Sequence, residues 1–96
     1  MNNLMDAPVK DFELDEIIES ANDEKYAIVL YNDDVNPFDH VINCLVKYCK
    51  HTGHQAEQCA LLVHHKGKYA VKGGSMEVLE PICQSLLDNL LSAKIE

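Results

Sequence analysis

Residues 26–31 read Tyr-Ala-Ile-Val-Leu-Tyr, and they are followed by Asn-Asp-Asp at 32–34 and Asn-Pro-Phe-Asp at 36–39. The first run is apolar and β-prone, which predicts a buried or half-buried strand. Asn and Asp favour turns because their side chains bond the nearby backbone, so the strand is expected to end there. Asn36 is a good helix N-cap and Pro37 suits the first helical position. The stretch therefore predicts a strand, a turn and a helix start in direct succession.

Two helices are predicted after this start, each with its own end signal. The first continues to about Lys50, because apolar residues recur at helical spacing. Thr52 and Gln55 match a capping box that begins the second helix, and Gly67 closes it. The apolar positions of the two helices are Phe38, Val41, Ile42, Leu45, Val46, Cys49, Ala56, Cys59, Ala60, Leu62 and Val63.

The remainder of the chain predicts a strand and a third helix. Residues 68–73 are expected to form the strand, and Ser75 caps a helix over 76–89 that Pro81 is expected to kink or restart. Residues 91–95 fit either a helix end or a last strand. The order is then β-α-α-β-α with a possible final strand, which is typical of a small α+β domain whose helices pack on one face of a sheet.

The chain of 96 residues has a formal net charge of −8, and this charge is unevenly distributed. Residues 1–24 contain eight acids and one lysine and so carry −7, whereas residues 25–96 carry −1. Self-repulsion and few apolar groups predict a flexible acidic tail over 1–24 ahead of one folded domain over 25–96. An acidic chain without arginine lacks the cationic face that a nucleic-acid partner requires.

The sequence also predicts where in the cell the protein is located. No apolar run reaches the ~18 residues of a membrane span, so no membrane partner is expected. The N-terminal segment is acidic and lacks the basic and then apolar pattern of a signal peptide. We therefore expect a cytoplasmic protein whose four cysteines are reduced.

Cysteine and histidine side chains crowd the middle of the chain, at Cys44, Cys49, His51, His54 and Cys59. These side chains are zinc-type ligands, but their spacing is not that of a zinc finger or ribbon. The cysteines mostly stand where a small apolar residue would serve in a core. No metal is expected, and a metal-binding or regulatory domain remains the alternative.

Two polar clusters stand at predicted element ends. Asn32, Asp33 and Asp34 follow the first strand, where adjacent acids either bind a cation or form a plain turn. His64 and His65 end the second helix, and one of the pair is expected to lean towards the core. Catalysis by one of the acids with His64 is a further alternative. The sequence carries no glycine-rich phosphate loop, nucleophile elbow or cofactor motif, so we expect a non-enzyme without a cofactor.

Two runs in register carry a resemblance to a known family. Leu-Tyr-Asn-Asp-Asp-Val-Asn-Pro-Phe-Asp-His-Val at residues 30–41 and Ala-Leu-Leu-Val-His-His-Lys-Gly-Lys at residues 60–68 resemble the signature of the ClpS family. Their mutual spacing fits without a gap, and the resemblance extends over about residues 25–96. It implies that residues 91–95 form a strand, so that the fold is β-α-α-β-α-β, with three helices on a three-stranded antiparallel sheet.

ClpS proteins are adaptors rather than enzymes. The resemblance implies that this chain binds proteins whose N-terminal residue is bulky and hydrophobic (Phe, Leu, Tyr or Trp). It further implies delivery to an AAA+ Clp unfoldase, of the ClpA or ClpC type, that works with the ClpP peptidase. The free amine of the substrate is expected to bind Asn32, Asp33 and His64. The first side chain is expected to enter an apolar pocket formed by Asn36, Phe38, Val41, Ala60, Val63 and Leu91.

The sequence departs from the family pattern at positions that bear on specificity and docking. Phe38 and Ala60 stand where other members often have methionines, which leaves the preference among Leu, Phe, Tyr and Trp open. Glu77 matches the surface that docks on the unfoldase's N-terminal domain, but Ile82 replaces its usual lysine partner. The resemblance also implies that the tail assists delivery and that the free protein is a monomer. A partner-binding module without a peptide pocket is a further alternative.

Overall fold

The computed structural model describes residues 25–96, which form six elements. In chain order they are β1 (Tyr26–Tyr31), α1 (Phe38–Cys49), α2 (Gly53–Lys66), β2 (Lys68–Gly74), α3 (Met76–Asp88) and β3 (Ser92–Ile95). The predicted order β-α-α-β-α-β is confirmed, including the last strand that the apolar pattern alone left open. The predicted tail over residues 1–24 lies outside the described residues.

The sheet is antiparallel and three-stranded, and β1 is its central strand in the order β2-β1-β3. The last residue of β1, Tyr31, lies opposite Lys68 at the start of β2 and Ser92 at the start of β3. The chain that leaves β1 therefore emerges between the starts of both edge strands. The N–H of Asn32 donates to the carbonyl oxygen of Gly67 at 2.9 Å, which joins this loop to the end of α2.

One apolar core holds the helices against the sheet. Ile28 and Leu30 of β1 belong to the same buried cluster as Leu45 of α1 and Leu79 and Leu86 of α3. Burial of a side chain of this size contributes about 1.5–3 kcal/mol, so the core fixes the end of β1 relative to the helices. The site described below lies at that end.

Most of the predicted helix ends are confirmed. Thr52 Oγ1 accepts a hydrogen bond from the N–H of Gln55 at 3.1 Å, and Gln55 Oε1 accepts one from the N–H of Thr52 at 3.4 Å, which completes the capping box of α2. Gly67 follows the helix with a φ of 89°, a conformation that glycine adopts without strain. Ser75 Oγ accepts from the N–H of Val78 at 3.3 Å and caps α3.

One local prediction is wrong, and one of two alternatives predicted for Pro81 is excluded. Asn36 is not the N-cap of α1, because Pro37 occupies that position without a side-chain cap bond, while the Asn36 amide bonds elsewhere. Pro81 does not restart the third helix, since α3 is continuous from Met76 to Asp88. Leu79 and Cys83, on either side of Pro81, are buried, and their packing keeps the chain helical where the proline lacks a hydrogen-bond donor.

A membrane-spanning helix requires a long apolar stretch. None of the three helices in residues 25–96 combines the necessary length with the necessary apolar character.

Candidate functional site

A cavity of about 470 Å³ opens beside the C-terminal end of β1. Its walls come from β1 and the following loop, from α1 and α2, and from the segment that begins β3. All nine residues predicted to bind an amine or a side chain lie around it: Asn32, Asp33, Asn36, Phe38, Val41, Ala60, Val63, His64 and Leu91. Four more line it that the sequence did not single out: Leu30, Tyr31, Leu61 and Ser92. What binds in the cavity stays a prediction.

One end of the cavity is polar because two distant motifs meet there. Asn32 leaves β1 and is tied through its backbone to Gly67, directly after α2. His64 lies in the last turn of α2 and is exposed, with its ring lining the same cavity. It packs edge-to-face against His65, with ring centroids 5.4 Å apart. The β1–β2 pairing thus brings a side-chain amide and an imidazole to one place.

Asp33 accepts more hydrogen bonds than any other side chain at the site. Its Oδ1 accepts from the backbone N–H groups of Val35 at 2.9 Å and Asn36 at 3.0 Å. Asn36 Nδ2 donates to both carboxylate oxygens, at 3.1 Å to Oδ1 and 2.9 Å to Oδ2. The hydroxyl of Ser92 donates to Oδ2 at 2.9 Å. The carboxylate is therefore fixed in place by its own loop and by β3.

These bonds determine the charge of Asp33. Burial by itself would raise the pKa of the carboxyl group, because a low-dielectric surrounding disfavours the charged form. Hydrogen bonds from Asn36, Ser92 and Val35 outweigh burial and lower the pKa below its ordinary value. The polar end of the cavity consequently carries a fixed negative charge at neutral pH.

The rest of the cavity is apolar. Ala60 and Val63 of α2 and Leu91 before β3 are buried and form its inner wall. Phe38, at the start of α1, keeps 41% of its surface exposed, and Val41 one turn further is half-buried. A small residue therefore stands inside while a large aromatic one stands nearer the solvent. Such a cavity suits a bulky apolar group with a cation beside it.

A tight turn between α3 and β3 positions the wall of the cavity that the C-terminal segment forms. Leu90 has a φ of 70°, which is unusual for a residue other than glycine, and it is held there by side chains from α1 and the preceding loop. Asn36 Nδ2 donates to the carbonyl oxygen of Leu90 at 2.8 Å, and His40 Nε2 donates to that of Asn89 at 2.9 Å. These bonds direct Leu91 into the cavity wall and Ser92 onto Asp33.

The residues missed by sequence reasoning are neighbours of the predicted ones. Leu30 and Tyr31 directly precede Asn32, and Leu61 follows Ala60. The hydroxyl of Tyr31 donates to Glu96, and Lys68 Nζ lies 5.6 Å from the ring centroid of Tyr31. Leu30, Tyr31 and Leu61 each lie close to a motif residue, at a strand end or on a helix turn. This position was the only sign in the sequence that they belong to the site. Ser92 likewise follows Leu91, but no local signal pointed to its bond with Asp33, because the two residues are far apart in the chain.

The predicted docking residues lie away from the cavity. Glu77 is exposed in the first turn of α3, and Ile82 is half-buried against the core. Neither lines the cavity. α3 therefore presents a surface separate from the site, and its role in docking stays a prediction.

The cysteines and histidines in the middle of the chain are not brought together as ligands. Cys44 and Cys49 are buried in the apolar core, where desolvation raises the pKa of the Cys49 thiol to about 11. His51 is 7% exposed, and its Nε2 donates to the carbonyl oxygen of Val71 at 2.8 Å. Across residues 25–96, no three side chains of the metal-binding types are grouped to hold an ion. The geometry therefore gives the metal-binding alternative no support.

Comparison with known proteins agrees with the fold and the motifs. A family model described as ATP-dependent Clp protease adaptor protein ClpS matches residues 21–93. The chain therefore belongs to the ClpS family, a family of protease adaptors, as its two motifs predicted.

Individual relatives carry the same family description. The adapter protein ClpS of Nostoc sp. is 40% identical over 62 residues, which is 64% of this chain and 64% of that protein. ClpS of Shewanella pealeana is 44% identical over 43 residues, or 45% and 42% of the two chains. ClpS of Thermosynechococcus vestitus is 36% identical over 63 residues, or 65% and 67%. The matches thus span between 42% and 67% of the length of these relatives.

A solved structure shows the same fold. Agrobacterium tumefaciens ClpS2, bound to L-phenylalaninamide, matches with a TM-score of 0.70 and 20% sequence identity. The match covers 74% of this chain and 93% of that one. The similarity therefore supports the β-α-α-β-α-β fold.

Proposed function

We propose that this chain is an adaptor that binds proteins through a free, bulky and hydrophobic N-terminal residue and delivers them to a Clp protease. One observation carries the proposal. The cavity joins an apolar interior to a fixed carboxylate, Asp33, and these are the two environments that such an N-terminal residue requires. The proposed ligands are proteins that begin with Phe, Leu, Tyr or Trp.

The polar end suits a protonated α-amine. This group has a pKa of about 7.7–8.0, so it is a cation with three donors at neutral pH. Asp33 supplies a carboxylate, Asn32 a side-chain oxygen and His64 a ring nitrogen as acceptors. Hydrogen bonds between a cation and a carboxylate are about twice as strong as bonds between neutral groups. An acetylated N-terminus lacks the charge and is expected to be rejected.

The apolar interior suits the side chain of that residue. Burial of a Phe or Leu side chain contributes about 1.5–3 kcal/mol. The walls proposed to contact it are Ala60, Val63 and Leu91 inside, with Phe38 and Val41 nearer the mouth. The ligand of the related Agrobacterium ClpS2, L-phenylalaninamide, carries such a bulky apolar side chain.

Delivery involves a second surface and a partner. We propose that Glu77 and Ile82 on α3 contact the N-terminal domain of an AAA+ Clp unfoldase of the ClpA or ClpC type, and that residues 1–24 assist transfer. The family description, an adaptor of the ATP-dependent Clp protease, supports the partner class. In this proposal the protein is a cytoplasmic monomer when free, needs no cofactor and catalyses no reaction itself.

The test is a binding titration with labelled peptides that differ only in the first residue. Peptides that begin with Phe, Leu, Tyr or Trp are expected to bind, whereas one that begins with Ala is expected to bind at least about tenfold more weakly, because it fills little of the pocket. Equal affinity for the Ala and Phe peptides would contradict the proposal. The same series gives the preference among the four bulky residues.

A further inference from the structure

We infer that Ser92 is a positioning residue of the amine site, which fixes the one oxygen of Asp33 that has room for a ligand. The inference rests on the proposed function, since it concerns how the amine-binding carboxylate is aimed. No motif suggested Ser92, because it lies in β3, far along the chain from the Asn-Asp-Asp run.

The two carboxylate oxygens of Asp33 are occupied to different degrees. Oδ1 accepts three donors: the N–H groups of Val35 and Asn36, and Asn36 Nδ2. Oδ2 accepts two, Asn36 Nδ2 and the Ser92 hydroxyl. Asn36 Nδ2 has two hydrogens for three acceptors, Oδ1, Oδ2 and the carbonyl oxygen of Leu90, so one hydrogen is shared between the two carboxylate oxygens. Oδ1 thus accepts two full bonds and this shared one, which fills its two lone pairs, whereas Oδ2 accepts one full bond and the shared one. Oδ2 is therefore the oxygen that a bound amine contacts, and Ser92 stands beside it.

The backbone around Ser92 explains why its hydroxyl is well placed. Ser92 is paired with Tyr31 across the sheet, so its position is set by the strand that also leads to Asp33. The preceding residue, Leu91, is buried in the cavity wall. The turn before it is tied to the rest of the protein by Asn36 and His40. Ser92 thus links the apolar wall of the cavity to its polar end.

The hydroxyl has a defined effect on the carboxylate. With Ser92 in place, donors hold Asp33 from its own loop on one side and from β3 on the other. Without it, the loop donors alone remain, and Oδ2 keeps only the hydrogen of Asn36 Nδ2 that it shares with Oδ1. The other titratable groups around the cavity are Tyr31 of β1 and His64 of α2, with Asp34 next to Asp33 in the loop. Because Ser92 is uncharged and exposed, its replacement by alanine removes the hydrogen bond to Asp33 without creating a cavity in the core.

The contact is tested first in the free protein, by NMR titration of the Asp33 carboxyl carbon. The Ser92 bond is one of the causes that lower the pKa of Asp33, so Ser92→Ala is expected to raise that pKa and Ser92→Thr to restore it. Ser85→Ala is the matched control, because it removes a hydroxyl that donates to Pro81 on α3, away from the cavity. An unchanged pKa of Asp33 in Ser92→Ala would overturn the inference.

The second arm measures affinity for a peptide that begins with a free Phe. Ser92→Ala is expected to weaken binding about three- to tenfold, as for the loss of an ordinary hydrogen bond, because Ser92 acts on the amine only through Asp33, while Ser85→Ala leaves it unchanged. In an Asp33→Asn background, Ser92→Ala is expected to have no further effect, because the two residues act as a unit. Additive losses in the double variant would overturn the inference.

The two arms separate this inference from the proposed function. A wild-type protein that bound no peptide would contradict the proposed function, and the titration of Asp33 would still decide whether Ser92 positions the carboxylate. A wild-type protein that bound the Phe peptide as tightly as Ser92→Ala does would leave the proposed function intact and overturn the role of Ser92.

Discussion

Asp33 shows how a single residue acquires a function from its neighbours. It accepts five hydrogen bonds, from Val35, Asn36 and Ser92, so its charge is held in one orientation before any ligand arrives. A preorganised acceptor loses little freedom on binding, which makes each bond to a ligand more effective. The same bonds explain why Asn36, expected as a helix cap and a pocket wall, is chiefly a partner of Asp33.

Ala60 is the smallest apolar residue that lines the pocket. It is 3% exposed and lines the cavity from α2. Ala60→Met is expected to fill the interior and to weaken binding of Trp and Phe peptides by about 1–3 kcal/mol, as is typical of overpacking, with a smaller loss for Leu peptides. Fluorescence anisotropy with the three peptides gives the comparison.

The control for this change is Ala70→Met, at an exposed position of β2 outside the cavity. It is expected to leave all three affinities unchanged. If Ala60→Met affected the three peptides no more than Ala70→Met does, Ala60 would not border the bound side chain.

His51 links acidity to the stability of the fold. It is buried, and with its Nε2 donating to Val71 its Nδ1 has no hydrogen-bond partner within residues 25–96. Burial, with a smaller effect of Lys72, lowers the pKa of His51 below 6.5. Below about pH 6.5 the unfolded chain therefore binds a proton that the folded protein excludes, so the stability that His51 contributes is present above this pH and is lost as the pH falls.

Urea unfolding at about pH 7.5 and about pH 5.5 measures this effect. The free energy of unfolding is expected to fall between these values in the wild type, and to fall less in His51→Gln. His54→Gln, at an exposed position of α2, is expected to match the wild type. The same pH dependence in His51→Gln and the wild type would show that another group is responsible.

At the scale of elements, sequence and structure agree where the signals are local. The capping box of α2, the glycine after it and the serine before α3 each depend on residues within one turn. The prediction failed for Asn36, whose side chain reaches Asp33 and the carbonyl oxygen of Leu90 instead of the first turn of α1. A local cap signal contains no information on a partner elsewhere in the chain, so this error has a physical cause.

α3 tolerates Pro81, and removing it is expected to stabilise the protein. A proline inside a helix lacks the N–H that would reach the carbonyl oxygen of Glu77, and its neighbours Leu79 and Cys83 keep the helix in place by packing. Pro81→Ala is expected to raise the free energy of unfolding by about 1–2 kcal/mol, after the greater freedom of the unfolded chain is subtracted. Urea denaturation measures the difference.

Pro37→Ala is the matched control, because Pro37 is the N-cap of α1 and its missing N–H breaks no bond inside the helix. Pro37→Ala is expected to leave the free energy of unfolding unchanged or to lower it by less than about 1 kcal/mol. A loss of stability in Pro81→Ala would mean that the proline ring contributes packing that outweighs the missing hydrogen bond.

For the molecule as a whole, sequence predicted the order of elements and two of the three parts of the site, and the family resemblance added Leu91 of the third part but not Ser92. The Asn-Asp-Asp run ends β1 and the histidines end α2, and the pairing of β1 with β2 brings these ends together. The third part could not be predicted from periodicity, because β3 has only four residues and the turn before it places a leucine at positive φ. Long-range bonds from Asn36 and His40 hold that turn, and they are visible only in the folded protein.

The uneven charge of the chain leads to a prediction on delivery. Residues 1–24 carry −7 of the formal charge of −8, and among the residues that the structure describes the cavity is lined from Leu30 onwards. Deletion of residues 1–24 is therefore expected to leave affinity for a Phe peptide within about twofold, while degradation of a reporter with N-terminal Phe by a Clp unfoldase and peptidase slows severely. Loss of peptide binding on truncation would contradict the separation of recognition from delivery.

Blocking the substrate's amine gives the sharpest test of recognition by Asp33, Asn32 and His64. The measurement is the affinity of the full chain for one peptide that begins with Phe, prepared with a free and with an acetylated N-terminus. The free peptide is expected to bind more tightly by about 1–3 kcal/mol, since acetylation removes the cation that bonds to the Asp33 carboxylate, and Asp33→Asn is expected to remove most of this difference. Equal affinity of the wild type for the two peptides would contradict the proposed function.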